Sequence, residues 1–255
     1  VGNLVNYGKE RAAARSWGRP LARPFWRFFL LHRGRMDLLL RTATLFSRLL
    51  GWGRREGNVR HLSLALFDRR TLPVLAETTA LTEFSGVHPA QGKTRERVLF
   101  FTGCLINDAR PDIARSAVAV LTRLGVEVTV PAGQLCCGMP FWSLGEAKMA
   151  DGLRARNLDL FQAPGAPTTV ITACASCGGA LREKYETAGL TFVDLSVLLS
   201  RLLQQTTDRP TLGRPPLDRS YSYHFPCHLS FTQKEQAAPL AILSRLGAYQ
   251  PMEDA

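Results

Sequence analysis

Six cysteines stand in an order that leaves this chain few ways to fold: Cys104, the adjacent Cys136 and Cys137 followed by Gly138, then Cys174, Cys177 and, last, Cys227. Thiols so far apart in sequence act together only if separate segments fold onto one another. Neighbouring Cα atoms lie about 3.8 Å apart, below the roughly 4.4 Å minimum for a relaxed disulfide, so Cys136 and Cys137 are poorly suited to bridging each other. Metal ligation in a reducing compartment accounts for them better. The first five cysteines offer more soft ligands than one tetrahedral metal uses, and this points to an iron-sulfur cluster. Two alternatives remain on the residues alone. A zinc knuckle at Cys174 and Cys177 lacks a second half-site of the same form, and a thioredoxin-like dithiol there leaves Cys104, Cys136 and Cys137 without a role.

The surroundings of Cys227 repeat those of Cys104. The runs VLFFTGC (98–104) and SYSYHFPC (220–227) each read as a short apolar strand ending in cysteine. Each precedes a helical stretch closing in similar words, LTRLGVEV from Leu121 and LSRLGAYQ from Leu243. Repetition of chemical as well as apolar landmarks marks a repeated unit. The second unit is expected to be truncated, its paired cysteines falling beyond Ala255 in a longer parent protein. Between these landmarks strands alternate with amphipathic helices: a helix at 111–124, a strand GVEVTV, a helix at 144–161, a strand TTVITA ending at Cys174, a helix through Tyr185, a strand TFVDL and a helix at 196–204. Alternation of this kind predicts an α/β fold with a mainly parallel sheet flanked by helices, and sites in such sheets lie beyond the carboxyl ends of the strands. The expected organisation is a basic helical linker at 1–94, a first cysteine-rich unit at 95–205, a Pro-rich loop at 206–219 and the start of a second unit at 220–255.

The formal charge of +11 is concentrated in the linker. Residues 1–60 carry 13 basic and 3 acidic groups, against 19 and 18 in the remainder. Phe25, Trp26, Phe28, Phe29 and several leucines accompany the arginines, while Arg27, Arg41 and Arg48 share a stripe that Gly34 is expected to interrupt. A pair of packed linker helices with a solvated Arg face, or a membrane-surface or partner-docking helix, fits this composition. No uncharged apolar run of about 18 residues supports a transmembrane helix. No binding module accompanies the charge, so nucleic acid is not an expected partner.

Two lesser features each admit a bland reading beside a functional one, and a third fails as a site. Gly138, Gly178 and Gly179 either let backbone N–H groups approach sulfur or serve tight turns. His224 and His228 either tune a cluster or are hydrogen-bonded residues at a strand end. GVHPAQGKT (86–94) has one residue too many for a phosphate loop and precedes a strand where such a loop follows one.

TGC at Cys104, QLCCGMP around Cys136 and Cys137, TACASCG around Cys174 and Cys177, and HFPCHL around Cys227 together resemble the CCG, or cysteine-rich, domain. That domain occurs twice in the cysteine-rich chain of heterodisulfide reductase, and similar domains are found in iron-sulfur subunits of glycolate oxidase, lactate utilisation complexes and anaerobic glycerol-3-phosphate dehydrogenase. The resemblance implies a 4Fe-4S cluster, of the noncubane type in heterodisulfide reductase, held by Cys104, Cys136, Cys137, Cys174 and Cys177. Cys227 corresponds to the leading ligand of a second cluster that only a full-length protein completes. The resemblance further implies an oxidoreductase subunit that relays electrons from a flavoprotein dehydrogenase, acting on a 2-hydroxy acid or glycerol-3-phosphate, toward a quinone or another carrier. A ferredoxin-type domain or subunit and a peripheral membrane contact on the cytoplasmic side are the further partners it implies. The alternative it carries is a heterodisulfide reductase-type site that cleaves a disulfide.

Overall fold

The computed structural model describes residues 28–29, 31–49, 54–56, 59–61, 71–186, 189–205, 217–245 and 247–252. The chain forms two compact units: Val1–Gly86 with Thr102–Arg115 and Pro131–Leu160, and Val87–Phe101 with Ser116–Val130 and Phe161–Ala255.

The first unit is largely helical. Phe28 and Phe29 are helical, Leu31 and His32 are not, and helix α1 (Arg33–Leu49) begins one residue before Gly34. The expected interruption therefore falls just ahead of the glycine. Arg27 lies outside the described residues. A three-stranded antiparallel sheet with no counterpart in the sequence reading follows, β1 (Arg54–Glu56), β2 (Val59–His61) and β3 (Thr71–Pro73) in that order. Helix α2 (Ala80–Phe84) is capped by Thr79, whose hydroxyl accepts the Thr82 N–H. Then come α3 (Gly103–Ala109), the first turn of α4 (Pro111–Arg123), α5 (Met139–Ser143) and α6 (Ala147–Phe161). The helix expected at 144–161 is α6, which begins three residues later, and the short α5 ahead of it has no counterpart in the sequence reading. Pro140 in its first turn favours the start of α5, and Gly145, at φ +77°, turns the chain between the two helices in a conformation other residues rarely adopt.

The second unit holds a five-stranded sheet of β4 (Gly86–His88), β5 (Glu96–Phe100), β6 (Val126–Val130), β7 (Thr169–Thr172) and β8 (Thr191–Asp194), in the order β4-β6-β5-β7-β8. β5 pairs in parallel with β6 and β7, and β7 with β8. Val98, Leu99 and Phe100 on β5 and Val170, Ile171 and Thr172 on β7 are all buried, the continuous burial expected of central parallel strands covered on both faces. On β6 burial alternates, with Val126, Val128 and Val130 inward. Helix α7 (Ala175–Lys184) follows β7, and α8 (Leu195–Gln205) follows β8. Phe101, Phe161, Tyr185 and Phe192 make a core cluster with ring centroids 5.6 to 6.4 Å apart.

β9 (Leu217–Tyr221) and β10 (Gly247–Tyr249) pair in parallel around a π-helical turn at His228–Thr232 and helix α9 (Ala237–Leu243). The strand expected to reach Cys227 thus ends at Tyr221. Its partner supplies no ladder beyond Tyr249, and Pro226 has no N–H to offer one. Residues 206–216 of the expected loop lie outside the described residues. Among the described residues no helix is long and apolar enough to cross a membrane.

Candidate metal centre

In the first unit, Cys104 is the second residue of α3, directly after left-handed Gly103 (φ +66°) and two residues past the N-cap Thr102. The chain is held there by Gln134, a fully buried side chain whose Oε1 accepts the Thr102 N–H at 2.9 Å and its hydroxyl at 3.3 Å. Gln134 stands two residues before Cys136, so one amide ties the approach to α3 to the approach to the cysteine pair. From α6, Asn157 completes the support. Its Oδ1 accepts the Leu135 N–H at 2.9 Å, and its Nδ2 donates to the Cys136 carbonyl at 3.1 Å. The result is a Cys104–Cys136 sulfur separation of 3.7 Å, with Cys137 buried next in the chain.

Gly138 follows the pair at φ +90°, and a Cβ there would stand 3.0 Å from Trp142 and 3.3 Å from Ala150. Its N–H donates to the Cys136 sulfur, so the residue serves both the tight turn and the approach of an amide to sulfur. The Cys104 thiol, the largest influence on Cys136, pulls its pKa down. The Cys137 thiol, burial and the Cys137 charge outweigh it and push the value up to about 12.

In the second unit, Cys174 caps α7 and Cys177 lies in its first turn. The Cys177 thiol donates to the Cys174 sulfur, and the Ser176 and Cys177 N–H groups favour its thiolate without completing a capping hydrogen bond. The Cys177 hydrogen bond is the main reason the Cys174 pKa falls to about 6, against the opposing effects of burial and of Asp194. A helix N-terminus that presents amides to sulfur favours thiolate.

The glycines behind Cys177 do something other than approach sulfur. A Cβ at Gly178 would stand 2.5 Å from Gln233 Nε2, and one at Gly179 would stand 3.3 Å from both His228 Cδ2 and Thr232 Cγ2. They make room for the π turn to lie against α7. His228 is hydrogen-bonded, its Nδ1 lying 3.2 Å from Ser176 Oγ. Cys227 is the exposed N-cap of that turn.

All six thiols are free. Two close thiol pairs, each with backbone amides near enough to favour thiolate, form a donor set that suits iron held by thiolates, which Cys-ligated clusters require. Among the described residues no group of three or more His, Cys, Asp or Glu side chains has the arrangement of a bound metal ion's ligands. Gln134 and Asn157 are not among the expected site residues. The one signal for Asn157 is its place in the i, i+4 series Met149, Leu153, Asn157, Phe161, a lone polar residue on a buried stripe.

Residues 98–182 match the CCG cysteine-rich domain. The chain is similar to an uncharacterized iron-sulfur protein of Methanococcus maripaludis, 33% identical over 71% of the chain and 35% of the relative. It is also similar to one subunit of the fumarate reductase (CoM/CoB) of Methanothermobacter marburgensis, 35% identical over 62% of the chain and 31% of the relative. A subunit of the anaerobic glycerol-3-phosphate dehydrogenase of Escherichia coli K12 is 29% identical over 81% of the chain and 54% of its own length. The chain thus spans about a third to a half of the length of these three relatives. No solved structure matches it. On the thiol pattern and these matches together, residues 98–182 belong to the CCG cysteine-rich domain family, and the chain resembles iron-sulfur proteins and subunits of oxidoreductase complexes.

Proposed function

We infer that Cys104, Cys136, Cys137, Cys174 and Cys177 hold one 4Fe-4S cluster and that the chain is part of an electron-transfer subunit. In this reading a flavoprotein dehydrogenase oxidises a 2-hydroxy acid or glycerol-3-phosphate, and the subunit passes electrons on toward a quinone or another carrier. The observation that carries it is the pairing of the thiols: Cys104 with Cys136 at 3.7 Å, and Cys174 with Cys177 at the start of a helix. When bound, such a cluster supplies single-electron redox chemistry. The chain's residues supply thiolates, amides directed at sulfur, and buried walls. Gln134 and Asn157 fix the main chain at the cysteine pair, while Gly138 and the first turn of α7 offer N–H groups that favour the anionic sulfurs. Cys227 is read as the leading ligand of a second cluster, completed only with residues outside this chain. A ferredoxin-type domain or subunit and a peripheral contact with the cytoplasmic face of a membrane complete the reading. The similarity to the glycerol-3-phosphate dehydrogenase subunit supports it.

A second reading, a site where the cluster itself takes part in disulfide cleavage, draws support from the 35% identity to a fumarate reductase whose name includes CoM/CoB. One experiment separates the two. The full chain is purified without oxygen, assayed for iron and acid-labile sulfide, and followed by EPR during titration with thiols and disulfides. About four irons per chain with a signal indifferent to thiols supports the relay. A thiol-dependent paramagnetic signal supports disulfide chemistry, and stoichiometric zinc without iron defeats both.

A further inference from the structure

We propose that the segment following Cys227 completes the site built on Cys174 and Cys177, with His228 and Gln233 as positioning residues that grip the two residues enclosed by that C-x-x-C. This rests on the reading of Cys174 and Cys177 as cluster ligands. Gln233 Nε2 donates to the Ala175 carbonyl at 3.1 Å, and His228 Nδ1 lies 3.2 Å from Ser176 Oγ. Ala175 and Ser176 are the whole of the interval between the two cysteines, and the Ser176 N–H is one of the groups that favour the Cys174 thiolate. A third bond, from Arg182 Nη1 to the Gln233 carbonyl at 3.2 Å, fastens the end of the π turn to the far end of the same helix.

Four features separate this contact from ordinary packing. Gly178 and Gly179 have no side chains where the π turn arrives, and a Cβ at Gly178 would have to displace the Gln233 amide. The turn is a π-helix, a form found mostly as single turns and often at functional sites. Lys234, immediately after Gln233, is the one non-glycine residue with positive φ (54°) among the described residues, a conformation that costs free energy and is kept where the surroundings impose it. Gln233 is itself only 5% exposed, yet among the described residues its Oε1 has no hydrogen-bond partner. A buried side chain that leaves one polar atom unsatisfied to make one bond to Ala175 is held for that bond. The C-x-x-C helix is therefore buttressed by residues from outside the first cysteine-rich unit.

The test uses the full chain, purified without oxygen, in two states. In the iron-loaded state EPR reads the cluster. In the iron-free state the rate of Cys174 alkylation by iodoacetamide, followed by peptide mass spectrometry, reads the order of the helix start. Gln233→Met keeps the volume and loses the donor; His228→Leu loses the contact to Ser176, and His228→Asn retains a nitrogen near the Nδ1 position. Gln233→Met and His228→Leu are expected to change the alkylation rate by about threefold or more and to shift the EPR line positions, with His228→Asn close to the parent. Gly178→Ala is expected to reproduce Gln233→Met, because its Cβ displaces a flexible amide and not the backbone. Unchanged alkylation and EPR in folded Gln233→Met and His228→Leu would overturn the proposal. If Gln233→Met does not fold, the His228→Leu and His228→Asn pair decides by the same criterion. A parent chain that takes up no iron but whose alkylation still responds to the variants refutes the cluster reading and leaves the buttress standing. A loaded chain that ignores all the variants refutes the buttress alone.

Discussion

Asn157 clamps the main chain at the Leu135–Cys136 peptide from one side: its Oδ1 accepts the Leu135 N–H at 2.9 Å and its Nδ2 donates to the Cys136 carbonyl at 3.1 Å. The side chain is fully buried, so bulk water does not take over either bond. Asn157→Leu, which keeps the volume, should leave one buried donor and one buried acceptor unsatisfied and cost about 2 to 4 kcal/mol. Urea unfolding of the iron-free chain should show a lower midpoint at unchanged slope, and the iron-to-protein ratio of the loaded chain should fall. An unchanged midpoint would show that the amide is not a clamp.

Gly138 and Gly165 make a matched pair. Both have positive φ, +90° and +79°, but a Cβ at Gly165 meets nothing within 4 Å, whereas one at Gly138 meets Trp142 at 3.0 Å and Ala150 at 3.3 Å. Gly165→Ala should cost only the conformational term, about 1 kcal/mol. Gly138→Ala should add overpacking of about 1 to 3 kcal/mol and reduce iron loading, because the turn also aims an N–H at Cys136. Equal unfolding midpoints for the two variants would refute the packing argument.

The parts of this architecture written in short-range sequence were legible. Apolar runs marked the central strands, and the C-x-x-C at the start of α7 followed from a strand running into a helical pattern. What escaped depended on partners distant in the chain. Gln134 and Thr102 lie 32 positions apart and Asn157 and Leu135 lie 22 apart, and no periodicity pairs a buried amide with the backbone it will serve. The roles of Gly178 and Gly179 were hidden for the same reason, since the His228–Thr232 turn that needs their space lies far along the chain. The charged strands β1 and β2 carry no apolar alternation, so nothing marked them as strands. The strand expected to reach Cys227 is too long because apolar content alone cannot show where a pairing partner ends.

Cys174 should respond to pH near neutrality when iron is absent, and Cys136 should not. Thiolate is the reactive form, so a thiol lowered to about 6 gains reactivity as pH rises through that value and is near its plateau at neutrality. Cys136, pushed up to about 12, should stay unreactive over the same range. Iodoacetamide labelling followed by mass spectrometry checks both. Cys177→Ala removes the main hydrogen bond and should move the Cys174 midpoint up toward the ordinary thiol value of 9.0. A midpoint that stays near 6 in that variant would transfer the effect to the backbone amides.

Arg33 and Asp108 join α1 to the helix that bears Cys104, in a setting where both side chains are nearly buried, at 14% and 10% exposure. Asp37 shares the guanidinium, and Asn107, itself bound to the Leu81 N–H, donates to the Asp108 carboxylate. Burial, the largest influence, holds the Asp108 pKa above the usual carboxylate range in spite of Arg33. Arg33→Met would leave that carboxylate without its cation and should destabilise the chain by about 3 to 5 kcal/mol at neutral pH. A carboxyl whose folded pKa is raised is favoured in its protonated form, so its stabilising contribution is complete below the unfolded value and lost as pH rises through the folded one. The deficit of Arg33→Met should therefore shrink as pH falls. Arg33→Met combined with Asp108→Asn should recover much of the loss, because the unpaired carboxylate is gone. A double-mutant cycle by urea unfolding at neutral and acidic pH measures this coupling, and additive losses that do not change with pH would remove the ion pair from the account of how α3 is held.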